Sequence, residues 1–313
     1  MKDSDKILGQ RSCVAQGIPE ATCAGSRLTI RIEVNCDPPA DLSGQQLRLE
    51  VGGGEPDAEA LLQDSAEGSA YEAEISLTAP PSEGEHELIL YMPEFDNGRT
   101  RCPELRHSFV ITVVAHEIMP VIWGIPPAIT TGEDFLARIG ARCGAECATN
   151  GWIVRVRDHN GQLLAECETG NTVWKDTEGL YYAELSLTAP EAEGLFEWEA
   201  CVEAKGCALP HKTGHRRFGL RTTARPDAIL RVVAIDHEAG TALEGIKVVV
   251  HPFSALTDLE GVAEISLPGG QYRVFVSGKG YSTYYADCTI EGSETLRVEL
   301  ERAVVITEAD VWA

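Results

Sequence analysis

Tyr71–Pro80 reads YEAEISLTAP and Tyr181–Pro190 reads YYAELSLTAP, identical at eight of ten positions at an offset of 110. The match continues upstream. Gly17–Cys36 (GIPEATCAGSRLTIRIEVNC) and Gly124–Cys143 (GIPPAITTGEDFLARIGARC) share Gly, Ile, Pro, Ala, Gly, Arg, Ile and Cys at an offset of 107. Two matching stretches in the same order, at nearly the same spacing, mark a duplicated domain with about three residues inserted in the second copy. Within each motif apolar and polar residues alternate, the period-two pattern of a strand with one buried face.

The same alternation recurs at Leu28–Val34, Gln46–Val51, His86–Tyr91 and His107–Val114 in the first copy. In the second it recurs at Trp152–Arg157, Gln162–Cys167, Leu195–Val202 and Arg216–Arg221. Turn formers such as Asp37-Pro-Pro and Pro80-Pro-Ser-Glu-Gly84 punctuate these runs. Asp158-His-Asn-Gly161 predicts a hairpin whose two turn residues both take positive φ. Ala58–Leu62 reads as a short helical turn. Seven or so short strands per hundred residues predict an antiparallel β-sandwich, with a small barrel as the alternative. Trp152, Trp174 and Trp198 are expected in the core of the second copy, where aromatics bury most area.

Residues 225–302 carry a different pattern. Gly240-x4-Gly245 is followed by a Val-rich strand, Thr257-Asp-Leu-Glu-Gly261, Leu267-Pro-Gly-Gly-Gln-Tyr272 and Gly280-Tyr281. Over about 75 residues this segment resembles the carboxypeptidase regulatory-like (transthyretin-like) domain family, through its T-D-x-x-G and L-P-x-G-x-Y signatures. The resemblance implies a seven-stranded sandwich that serves as an accessory module, and it carries over no active site. The two repeats look immunoglobulin-like or fibronectin-type-III-like in a general sense. The expected architecture is therefore all-β, with three tandem sandwiches. Residues 1–10 read as a flexible arm, 11–115 and 116–224 as the two repeats, 225–302 as the third sandwich and 303–313 as an apolar tail.

A chain of 313 residues with 43% hydrophobic content can fill two or three cores. Its net charge of −23 is spread over all three parts, which argues against a nucleic-acid partner. The N-terminus lacks the apolar run of a signal peptide, and Val110–Ile129 is interrupted by His116, Glu117, Pro120, Gly124, Pro126 and Pro127. The expectation is a cytoplasmic protein with no membrane span, with an extracellular or cell-surface placement as the alternative.

Ten cysteines are many for a reducing compartment. Cys36 and Cys143 are equivalent in the duplication, and Cys102 and Cys207 both fall in the loop after the sixth strand. Disulfides Cys36–Cys102 and Cys143–Cys207 are one reading, and reduced neighbouring thiols the other. Cys143, Cys147, Cys207 and His211, with Cys201 and His215 nearby in sequence, also supply enough soft donors for a tetrahedral metal. Against that stand the missing counterparts of Cys147 and the histidines in the first copy, and an expected core position for Cys201. Cys13 and Cys23 can pair with each other. No cofactor or metal is expected as the leading reading.

The chain has no G-x-S-x-G, H-E-x-x-H or P-loop motif, and no G-x-G-x-x-G opening a helix. The leading expectation is a non-catalytic structural or interaction protein, such as an accessory subunit. Its protein partners would be engaged in part through Arg302–Ala313, either as a strand added to a partner's sheet or as a last strand of its own. The alternative is a surface-exposed adhesin or glycan-binding protein with disulfide-stiffened loops.

Overall fold

The computed structural model describes residues 7–52, 57–65 and 70–303, and every regular element among them is a β-strand. The duplicated motif forms Tyr71–Thr78 and Tyr181–Thr188. Each pairs antiparallel with the strand from the second matched stretch, Arg27–Asp37 or Asp134–Cys143. Ala73, Ile75 and Leu77 are buried, as are Ala183, Leu185 and Leu187, so the alternation sets one face of each strand against a core.

The two copies share one topology. In the first, Gln10–Gln16, Arg27–Asp37, Tyr71–Thr78 and Gln63–Asp64 make one sheet. Ala21–Cys23, Leu105–Val114, Gly84–Met92, Gln46–Val51 and Ala58–Leu61 make the facing one. In the second, Tyr181–Thr188, Asp134–Cys143, His116–Trp123 and His211–Lys212 face Ile129–Thr130, Gly214–Thr223, Gly194–Glu203, Ile153–Arg157 and Leu163–Glu168. In both copies the first strand changes sheets midway. It runs antiparallel to the second strand, then parallel to the last. These are immunoglobulin-like sandwiches. Each buries its own cluster of apolar side chains, around Ile30, Ile32 and Leu90 in one and Ile139, Trp152 and Trp198 in the other.

The third sandwich has seven strands. Ala228–Asp236 lies between Val262–Leu267, antiparallel, and Ser293–Leu300, parallel. Phe253–Leu256, Lys247–Val250, Gly270–Ser277 and Tyr284–Ile290 form the facing sheet over a separate core. The Asp258 carboxylate accepts the backbone N–H groups of Glu260 and Val262, making the Thr257–Gly261 turn. The Tyr272 hydroxyl donates to the Pro268 carbonyl at 2.7 Å.

Several details differ from the sequence reading. Ala58–Leu61 is a strand, because Ala58 and Ala60 pack on the first core while Glu59 and Leu61 face out, a period of two rather than a helical turn. At the Asp158–Gly161 hairpin only Gly161 has positive φ, +79°. The loop is a one-residue-longer turn with Gly161 donating to the Asp158 carbonyl, and the strand register shifts at Val156/Arg157. Trp174 is not a core residue. It packs edge-on against Trp123 and Tyr182, outside the core that holds Trp152 and Trp198. Of the expected arm, Ile7–Leu8 pairs in parallel with Thr100 and Arg101, and Gln10 already opens a strand. The tail from residue 304 lies outside the described residues. Arg302 bridges to Tyr281, and Ala303 donates to the Gly280 carbonyl.

The two joints differ. Only Ala115 separates Leu105–Val114 from His116–Trp123, and both Ala115 and His116 are buried. The Ala115 N–H donates to Glu83 of the first sandwich at 2.9 Å, and Leu209 of the second packs against the first core. In the connection to the third sandwich, Arg225, Pro226 and Asp227 are exposed.

Candidate metal centre

At the end of the second sandwich that meets the first, four elements converge. His116 opens the first strand, Cys143 ends the second, Cys147 lies in the loop that follows, and His211 lies just before the last strand. One donor atom from each lies within 4.8 Å of all the others. His116 Nδ1 is 3.3 Å from Cys147 Sγ and 3.5 Å from Cys143 Sγ, and Cys143 Sγ is 3.6 Å from His211 Nε2. Ligands bonded to a tetrahedral ion at about 2.3 Å for sulfur and 2.0–2.1 Å for nitrogen stand about 3.5 Å apart. Three of the six donor pairs are already at that spacing, and the remaining ones lie within 4.8 Å.

The rings are held from behind. His116 Nε2 donates to the Ala24 carbonyl of the first sandwich at 2.6 Å, and His211 Nδ1 donates to the Leu209 carbonyl at 2.9 Å. A carbonyl only accepts, so each of those nitrogens carries the proton and the opposite nitrogen turns its lone pair toward the sulfurs. Such a hydrogen bond behind the ring is the usual support of a metal-ligating histidine. Burial holds His211 below the ordinary imidazole value, in keeping with a neutral ring. The Ala145 N–H points at Cys143 Sγ from 3.5 Å. Glu146 donates to the Cys143 carbonyl and takes a φ of +57°, a conformation uncommon outside glycine, and so folds the loop back to bring Cys147 beside Cys143. Burial, and then the neighbouring Cys143, push the free Cys147 thiol up to about 11. An open cleft of about 830 Å³ runs beside the two sulfurs, lined also by Met119, Arg142 and Asp176.

The sequence grouping is thus partly brought together. Cys143, Cys147 and His211 meet, whereas Cys207 is exposed and His116 supplies the fourth donor. Cys201 and His215 belong to another group on the outer face of the neighbouring sheet. There Cys201 Sγ is 3.1 Å from His215 Nδ1 and 3.6 Å from Glu199. Cys201 does not point into the core, because Trp198, Ala200 and Val202 occupy the inward positions and Cys201 alternates with them. His116 was visible in sequence only as an interruption of an apolar stretch. A polar residue at the seam between two repeats, facing a Cys-x3-Cys, is the signal that would have found it.

The first sandwich shows what the same positions become with other residues. Gly9 donates to the Arg101 carbonyl as His116 donates to that of Pro210, so Gly9 corresponds to His116 and Cys102 to His211. This replaces the expected correspondence of Cys102 with Cys207, because the loops before the last strand differ in length. Cys36 and Cys102 lie with their sulfurs 3.4 Å apart. Only glycine fits at position 9, since a Cβ there would stand 2.8 Å from Cys102 Sγ. Arg11 is buried against the same pair, its Nη2 donating to the Pro93 carbonyl at 2.8 Å and to that of Pro103. Cys143 faces histidines rather than Cys207. Cys13 and Cys23 lie on strands of opposite sheets.

No family model matches the chain, and no curated protein matches it. Solved structures similar to it include an ICAM-5 D1–D4 ectodomain fragment, at 13% identity and TM-score 0.28, covering 91% of this chain and 77% of that one. The adhesin InvE of Yersinia pseudotuberculosis matches at 11% and 0.27, covering 79% and 67%. The major pilin subunit BcpA of Bacillus cereus matches at 13% and 0.24, covering 94% and 100%. Similarity at this level says nothing of function, and the immunoglobulin-like fold is read from the sheet topology above.

Proposed function

We propose that the chain is a non-catalytic interaction protein whose first two sandwiches form one fixed body that holds binding surfaces at a set spacing. The observation that carries this reading is the joint at Ala115 and His116. It is buried, hydrogen-bonded to Glu83 and Ala24, and packed by Leu209. A joint ordered in this way resists the relative motion expected of small, polar interdomain contacts. The third sandwich, on this reading, is a carboxypeptidase regulatory-like accessory module, supported by its seven strands and the Asp258 and Tyr272 turns. Arg302–Ala313 would contribute to partner binding. The Cys36–Cys102 pair, poised for closure, favours a surface-exposed version of the role over a cytoplasmic one.

The test is cross-linking in the native source, followed by reconstitution from purified components. A stoichiometric complex with another protein, weakened by deleting residues 303–313, is the expected result. A complex unchanged by the deletion removes the tail from the mechanism. Turnover of a small molecule by the full chain, with no complex formed, overturns the reading.

A further inference from the structure

We infer that His116, Cys143, Cys147 and His211 bind one zinc ion as a closed structural site, and that this ion ties the second sandwich to the first. The donor set selects the ion. Two thiolates and two imidazoles suit zinc and exclude calcium and magnesium, which take oxygen ligands. Four protein ligands complete a tetrahedral shell and leave no position for substrate, so the site is structural rather than catalytic. Charge agrees with burial. Both thiols give up a proton as the ion binds, and two thiolates cancel its two positive charges, leaving a neutral centre that the joint can bury.

The link between the sandwiches follows from which atoms hold the rings. His116 is the first residue of the second sandwich, and its distal nitrogen is bonded to Ala24 of the first. His211 is bonded to the carbonyl of Leu209, the residue whose side chain packs on the first core. An ion that fixes both rings therefore fixes both contacts. The corresponding end of the first sandwich carries glycine and a thiol pair instead, so the duplication has given one end two sulfurs and the other a four-donor set.

The experiment uses the full chain with any affinity tag removed, and titrates zinc chloride and cobalt chloride. One equivalent of zinc should bind, with two protons released. The cobalt form should show the intense ligand-field bands of a tetrahedral site and a thiolate-to-cobalt charge-transfer band. C147S, a near-isosteric change at a half-buried loop position beside the second core, should lose stoichiometric binding, and so should H211A. C201S, in the neighbouring Cys/His group, should keep it. Removing zinc with a chelator should speed protease cleavage between the first two sandwiches and leave the third unaffected. Three results would overturn the inference: failure of the folded wild-type chain to bind zinc, full binding by C147S, or a Cys143–Cys147 disulfide in protein from its native source.

Discussion

Asp236 shows how one residue can fix a corner of the third sandwich. Its carboxylate is almost fully buried and accepts the backbone N–H groups of Ala239 and Glu238, each at 2.9 Å, and the Tyr281 hydroxyl at 2.8 Å, with Arg302 3.4 Å away. The bond from Ala239 leads, followed by that from Tyr281, in lowering its pKa to about 2. The folded value lies below the unfolded one of about 3.9, so the contribution to stability is complete above the unfolded value. It is lost as pH falls through the window down to about 2. Urea denaturation across that window should show the wild-type chain losing stability more steeply than D236N, and parallel curves would remove Asp236 from the account. Gly9 makes a second case. In G9A the new methyl group meets Cys102, Thr100 and Cys36 at 2.8, 2.9 and 3.3 Å, so the substitution should cost about 1–3 kcal/mol, measured as a lower melting temperature.

At the scale of strands and loops, the repeat made the framework legible. Ala73, Ile75 and Leu77 and their counterparts Ala183, Leu185 and Leu187 alternate with polar residues, and that period needs no tertiary information to read. Trp152 and Trp174 mark where the reading stopped. Both are large aromatics in the second copy, yet Trp152 is fully buried just ahead of the strand Ile153–Arg157, whereas Trp174 sits in a loop folded over the outer face, near Arg138. Composition does not say which face a loop covers. W152A should therefore destabilise by about 3–5 kcal/mol in urea denaturation, and W174A by clearly less. The donor set was half legible for a similar reason. Cys143-x3-Cys147 is a local spacing, whereas His116 reaches the site only through strand pairing with His211. The two cysteine pairs should also differ in redox behaviour. With diamide as oxidant, Cys36 and Cys102 should close to a disulfide by losing two protons and two electrons. Peptide mapping should find that bridge, which spans 66 residues and is worth about 2–4 kcal/mol, while zinc protects Cys143 and Cys147.

Over the whole molecule, three separate cores are strung on two unlike joints, one buried and the other an exposed segment around Arg225–Asp227. A fixed spacing between the first two sandwiches is the central claim, since both the interaction role and the bridging ion depend on it. Leu61, Leu195 and Leu256 are exposed positions, one on each sandwich, that can carry spin labels through non-canonical residues and leave the cysteines untouched. Pulsed electron–electron resonance between labels at 61 and 195, in the zinc-loaded full chain, should give a single narrow distance distribution. The 195–256 pair should give a broader one. A 61–195 distribution as broad as the 195–256 one would contradict the account.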